Sequence, residues 1–155
     1  MEITREELPE QHYIYVEKRC GMGPEIAQAM AEGFGAAFGW LAENGIAPQS
    51  MPMTVYTEMP SGGQMVFRCG ALVTPEDAAK ASGPARADTL PAGPALKALH
   101  KGAYASMNQT HDALWKHAKA EGLESRMPVW EIYIDDPGET AEADLRTEVF
   151  HAVQG

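Results

Sequence analysis

Basic residues are scarce in this sequence: 12 lysines and arginines face 22 aspartates and glutamates, leaving a formal net charge of -10 over 155 residues. A field of that sign repels phosphate backbones and anionic head groups and attracts cations, so direct nucleic-acid binding is not expected. No basic helical stretch, C2H2 spacing or RNP-like aromatic strand argues otherwise. Long apolar runs are missing too: nothing approaches the roughly 18 residues of a membrane span, and no membrane contact is expected. The N-terminal MEITREELPEQ lacks the charged, then apolar, then small-residue order of a secretory signal, and a cytoplasmic protein is expected. Cysteine is nearly absent. Cys20 and Cys69 lie in separate segments with no second thiol or histidine at metal spacing, so both are expected as isolated, reduced thiols.

Signatures of metal and nucleophile chemistry are absent as well. His12, His100, His111, His117 and His151 show no HxH or HExxH spacing, and neither a metal nor a cofactor is expected. The glycines of MPSGGQ (59–64) come without the lysine of a phosphate loop, and a hairpin turn is expected there, as at DDPGE (135–139). No serine sits in a nucleophile elbow.

What is present is a periodic, 45% hydrophobic chain, enough for one domain with a substantial core. Ile26, Met30, Phe34, Phe38 and Leu41 recur at helical steps, as do Tyr104, Met107, His111, Leu114 and Ala118. Each run ends at a glycine stop, ENGI (43–46) and AEGL (120–123). Met30, Phe38 and Gly45 share one common offset with Met107, Trp115 and Gly122, and MTVYTEMP (53–60) overlays WEIYIDDP (130–137) at that offset. MVFRCGALV (65–73) and LRTEVFHAV (145–153) form a further pair, and HYIYVEKR (12–19) and PALKALHK (94–101) are matching strand candidates ahead of the helices. The expected fold is α+β: a duplicated β-α-β-β unit, residues about 12–73 and 94–153, joined by a surface linker at 74–93 with a helical turn at its start. Units this small are expected to pack as a single pseudo-two-fold domain over 1–155, an antiparallel sheet with two long helices on one side and a central ligand cleft.

One residue type stands out in VWEIYIDDP (129–137): Glu131, a carboxylate in an aromatic and aliphatic run. Strand alternation puts Trp130, Ile132 and Ile134 on one face and Val129, Glu131 and Tyr133 on the other. The wholly apolar set is expected under the helix, leaving Glu131 and Tyr133, with their counterparts Thr54 and Tyr56, on the uncovered face. A merely solvated strand carboxylate is the plain alternative. The tyrosines argue for binding, because a carboxylate ringed by aromatics offers a lipophilic cation both charge pairing and cation–π contact.

With HKGAY (100–104), PVWEIYIDDP (128–137) and LRTEVFHAV (145–153) in this order of elements, the chain resembles the GyrI-like small-molecule-binding domains. These include the effector-binding modules of multidrug-sensing regulators and stand-alone DNA gyrase inhibitor proteins. The resemblance implies an aromatic cleft with Glu131 as counter-charge for cationic aromatic ligands and Tyr104 as a wall. Tyr133 follows from the same strand, and Tyr56, Thr54, Trp40 and Trp115 from the repeat, although Trp115 suits a core equally. Regulators fuse this module to a helix-turn-helix domain; here about a dozen residues precede the first expected strand, so a free-standing version is expected.

The functional expectation is binding of bulky lipophilic, cationic aromatic molecules, as a sensor or sequestering protein. Three alternatives stay open. One is a hydrolase that opens cyclopropane-type electrophiles, with Glu131 as general base and Tyr104 or Tyr133 donating to the developing oxyanion. Another is a protein partner, gyrase or a regulator, docked on the acidic surface. The last is a cleft filled by side chains, with no ligand.

Overall fold

The computed structural model describes residues 1–155. Strands β1 (Ile3–Leu8), β2 (Gln11–Gly21), β3 (Met53–Tyr56), β4 (Gln64–Val73), β5 (Arg86–Leu90), β6 (Gly93–Lys101), β7 (Glu124–Tyr133) and β8 (Arg146–Gln154) accompany helices α1 (Glu25–Glu43), α2 (Pro75–Ala78) and α3 (Met107–Ala120). The class is α+β, and the strand pairs within each unit run antiparallel. The chain divides into two compact units, Glu10–Leu90 and Met1–Pro9 with Pro91–Gly155.

In the Glu10–Leu90 unit the strands run β3-β4-β2-β5. Helix α1 lies over the face carrying Ile14, Phe67, Cys69 and Val73. Its innermost line is made of small residues, Ala29, Gly33 and Ala37, ending in Trp40 and Leu41. The large residues that set the sequence period, Ile26, Met30, Phe34 and Phe38, flank that line and are only partly buried. The reason is distance: a Cβ added at Gly33 would sit 2.7 Å from Cys69 Sγ, so helix and sheet approach too closely for a large side chain between them. Both long helices stop where the sequence indicated, with Gly45 (φ 66) and Gly122 (φ 69) in the left-handed conformation.

Two strands lie where none was expected. β5 occupies residues 86–90 of the segment read as linker, and β1 the acidic N-terminus; each is an edge strand with few buried residues, so neither carries apolar alternation to read. β5 pairs with β2 along the backbone and is further tied to it through Arg68 of β4. Arg68 Nη1 donates to Asp88 Oδ2 at 2.7 Å and to the Tyr13 hydroxyl at 2.9 Å, with its guanidinium 4.2 Å from the Tyr15 ring centroid. The expected helical turn at the start of the linker is α2, capped by Thr74, whose hydroxyl accepts from Asp77 N.

In the unit holding residues 91–155 the strands run β1-β6-β8-β7. Helix α3 packs Met107, Leu114 and Ala118 on Leu96, Ala98, Val149 and Val153. Register then fixes the faces of β7: Glu131 opposes Val149 and Val129 opposes His151, so Val129, Glu131 and Tyr133 lie under the helix. This reverses the expected orientation. Trp130 faces the other way, stacked on Phe150 at 5.2 Å between centroids and only 1% exposed. Both faces of β7 are buried here, so the all-apolar set did not mark the helix side; the helix instead covers a polar one.

Candidate functional site

Alternation in β7 and β8 and the helical step in α3 deliver four polar or aromatic side chains to one place. Tyr133 and Glu131 come from β7, His151 from β8, and His111 from α3, one turn before Trp115. The Tyr133 hydroxyl donates to Glu131 Oε1 at 2.7 Å, and His111 Nε2 lies 2.7 Å from Glu131 Oε2. His111 Nδ1 in turn lies 2.7 Å from His151 Nε2. Trp115 packs against both imidazoles, its ring centroid 5.7 Å from that of His111 and 4.8 Å from that of His151.

Glu131 is 5% exposed, and stripping water from a carboxylate is costly unless donors replace it. Here two donors do so, one on each oxygen. His151 is 1% exposed, and burial, followed by its His111 neighbour, pushes its imidazole down from an ordinary 6.5 to about 3. The unfolded chain therefore takes up a proton on His151 near pH 6.5 while the folded chain does not until about pH 3. This contribution to stability is present above pH 6.5 and is lost as pH falls through the window toward 3. Denaturant unfolding of wild type and His151→Gln across that window is expected to show a steeper acid loss in the wild type.

Tyr104 forms the outer wall. It is 39% exposed, and its ring lies 5.4 Å from that of Tyr133. Partial burial, and after it the nearby Asp135, Asp136 and Glu131 carboxylates, raises its phenol above the usual range. Asp135 is held by Arg146 through Nε at 3.0 Å and Nη2 at 2.9 Å, which keeps its carboxyl below the ordinary value. The turn that presents Tyr104 is fixed from within by His100, which is 4% exposed. Its Nδ1 lies 2.6 Å from Thr110 Oγ1 and its Nε2 3.0 Å from the Ala103 carbonyl. The assigned tautomer donates from Nε2 to Ala103 and accepts the Thr110 hydroxyl proton, joining β6, the turn and α3.

The structure thus gathers four expected site residues, Glu131, Tyr133, Tyr104 and Trp115. In the other unit Thr54 is fully buried on β3 beside Cys69, and Tyr56 packs on Phe67 with ring centroids 6.4 Å apart. Trp40 sits in the core with Ile14, Leu41, Ile46 and Val73. An open depression of about 330 Å³, lined by His12, Gln49, Leu72 and Thr74 among others, belongs to that unit and contains no expected site residue. The sequence reading did not assign His111 and His151 to the site. His151 carries the same signal as Glu131, a polar residue in the apolar run of a strand, which metal spacing alone does not reveal. No group of three or more His, Cys, Asp or Glu side chains is arranged to hold a metal ion, and no helix is long and apolar enough to cross a membrane.

The fold is thus an antiparallel α+β one that carries an aromatic-lined carboxylate beneath a helix. The chain belongs to the family of GyrI-like small molecule binding domains, matched over residues 1–154. It is similar in structure to the C-terminal domain of EcmrR, at 19% identity and a TM-score of 0.76, over 99% of this chain and 97% of that one. In a complex of EcmrR with DNA the chain spans only 57% of the EcmrR chain, at 19% identity and a TM-score of 0.78. SAV2435 bound to tetraphenylphosphonium is similar at 15% identity and a TM-score of 0.67, over 100% of this chain and 95% of that one. A hydrolase from Listeria innocua is similar at 16% identity and a TM-score of 0.64, over 98% and 91%. No curated protein matches the sequence.

Proposed function

We propose that this protein binds bulky lipophilic cations bearing aromatic groups, as a sensor or sequestering protein, with Glu131 as the counter-charge and Tyr104, Tyr133 and Trp115 as the aromatic surround. The observation that carries the reading is the buried Glu131 carboxylate, held by hydrogen bonds at both oxygens among three aromatic side chains. A fixed negative charge in a site poor in water attracts a cation more strongly than an exposed one, and rings within about 6 Å add a cation–π term of roughly 0.5–2 kcal/mol. Tyr104, the exposed ring, would swing aside to admit the ligand. The net charge of -10 draws cations toward the protein as a whole.

A pair of probes with one shape and opposite charge tests this. Tetraphenylphosphonium, which SAV2435 binds, is expected to quench Trp115 fluorescence saturably, whereas tetraphenylborate is not. Equal binding of the two ions would remove charge from the explanation; no binding of either would refute the reading.

A second reading, hydrolysis of strained electrophiles, is favoured by the 2.7 Å contact between Glu131 Oε2 and His111 Nε2. A carboxylate coupled to an imidazole has the geometry of a general base with its orienting partner.

A further inference from the structure

We propose that His151, acting through His111, holds the Glu131 site at a single negative charge near neutral pH, as a positioning residue for cation binding that does not itself touch the ligand. The inference rests on the cation-binding reading for its use, but the proton arrangement it describes stands apart from that reading.

Three ionisable groups form one hydrogen-bonded line beneath α3, Glu131 to His111 to His151, with each contact at 2.7 Å. The line ends at His151 Nδ1, which is buried and has no hydrogen-bond partner. Each contact in such a line holds one proton, and that leaves few arrangements. When His151 carries its proton on Nε2, it donates to His111 Nδ1. His111 then donates from Nε2 to Glu131, which is a carboxylate. The orphan at the end of the line is a bare lone pair, the milder of the two ways to leave an imidazole nitrogen unsatisfied.

One more proton changes every link. Glu131 Oε1 is covered by the Tyr133 hydroxyl, so the proton arrives at Oε2 or on the His111 ring. In either case His111 Nδ1 becomes a donor and His151 Nε2 must accept. The His151 proton is then displaced to Nδ1, where it is a buried N–H with nothing to donate to, a cost of the kind that unsatisfied donors carry. Charging His151 itself would strand the same N–H and add a buried charge. Around the line, β7 supplies Glu131 and Tyr133, β8 supplies His151, α3 supplies His111, and β6 places the aliphatic Leu96 opposite His151. Farther out, Asp135 and Asp136 add negative potential at Tyr104. The dead end at His151 Nδ1 therefore resists proton uptake in the range where histidines ordinarily charge, and the carboxylate stays available to a cation.

Nitrogen-15 NMR of the ligand-free protein reads the tautomers directly. Protons on Nε2 of both His111 and His151 are expected from about pH 8 to about pH 6; a proton on His151 Nδ1 overturns the proposal. Wild-type affinity for tetraphenylphosphonium is expected to change less than about 3-fold over that range, and that of His151→Gln to fall about 10-fold or more, because the introduced amide can turn its oxygen toward His111 Nδ1 and accept from it once His111 takes a proton. His151→Leu, which offers no acceptor to a protonated His111 Nδ1, is expected to keep the flat profile. A steep wild-type profile, or a His151→Gln profile as flat as the wild type's, overturns the proposal; should His151→Gln fail to fold, the wild-type tautomers and profile decide it. A protein with the expected tautomers that binds no tetraphenylphosphonium refutes the cation reading and leaves the proton line standing.

Discussion

Glu131→Gln is expected to weaken tetraphenylphosphonium binding about 30-fold, or about 2 kcal/mol, while leaving the protein folded. The size follows from Coulomb's law: two unit charges about 5 Å apart at an effective dielectric constant of about 20 attract by about 3 kcal/mol, part of which the ligand's own desolvation offsets. The fold is expected to tolerate the change because the amide fits the existing donors. Its oxygen accepts from His111 Nε2 and its NH2 group meets the Tyr133 oxygen, which gives up its donor role at that contact. The opposite amide orientation would force His111 to accept at Nε2 and strand a proton on His151 Nδ1, so the network selects one flip. Fluorescence titration measures the affinity loss, and tetraphenylborate serves as the control expected to give no saturable response with either protein. A folded Glu131→Gln protein that binds the cation as tightly as the wild type would show that the carboxylate is not its counter-charge. The same variant addresses the hydrolytic reading: incubated with a cyclopropane-type alkylator, it should form no hydrolysed product if Glu131 is the base, and equal rates in both proteins end that idea.

The sequence made these residues legible to different degrees. Glu131 was conspicuous because a carboxylate in VWEIYIDDP breaks an apolar run, and strand alternation placed it with Tyr133. Which face that pair occupies was not legible. Periodicity reports that two faces differ, but the helix side is recognisable only if the other side is wet, and here Trp130 and Phe150 bury it. The helices were legible from their steps of three and four and their terminal glycines, yet the register of α1 on its sheet was set by Gly33 and Cys69, which interact over a long sequence separation. Strands β1 and β5 escaped because edge strands with exposed side chains owe their place to partners such as Arg68, and pairing of that kind leaves no local pattern. The His111–His151 contact escaped for the same reason: their partnership spans 40 residues and exists only after β8 and α3 pack.

Two glycine replacements are expected to move stability in opposite directions, and the contrast isolates close packing from helix propensity. Gly70, in the middle of β4 opposite Tyr15, has no room for a side chain: an added Cβ would lie 1.9 Å from the Ile14 carbonyl oxygen and 2.9 Å from Tyr15 Cα. Both obstacles are backbone, so no rotamer change relieves them. Gly70→Ala must push β2 away from β4, the strand pair at the centre of its unit, which also carries Ile14, Phe67 and Cys69 beneath α1. Overpacking of side chains commonly costs about 1–3 kcal/mol, and with rigid backbone on the other side a loss of about 3 kcal/mol or more is expected. Gly35 lies on the exposed side of α1 with nothing within 4 Å of an added Cβ. Gly35→Ala is expected to stabilise by about 0.5–1 kcal/mol, since alanine restricts the unfolded chain and favours the helix. At about 2–4 °C per kcal/mol for a chain of this size, thermal unfolding separates the two variants by roughly 7–16 °C. A Gly70→Ala protein as stable as the wild type would mean that β2 and β4 are farther apart than their register implies; a neutral Gly35→Ala would place residue 35 against a partner in solution.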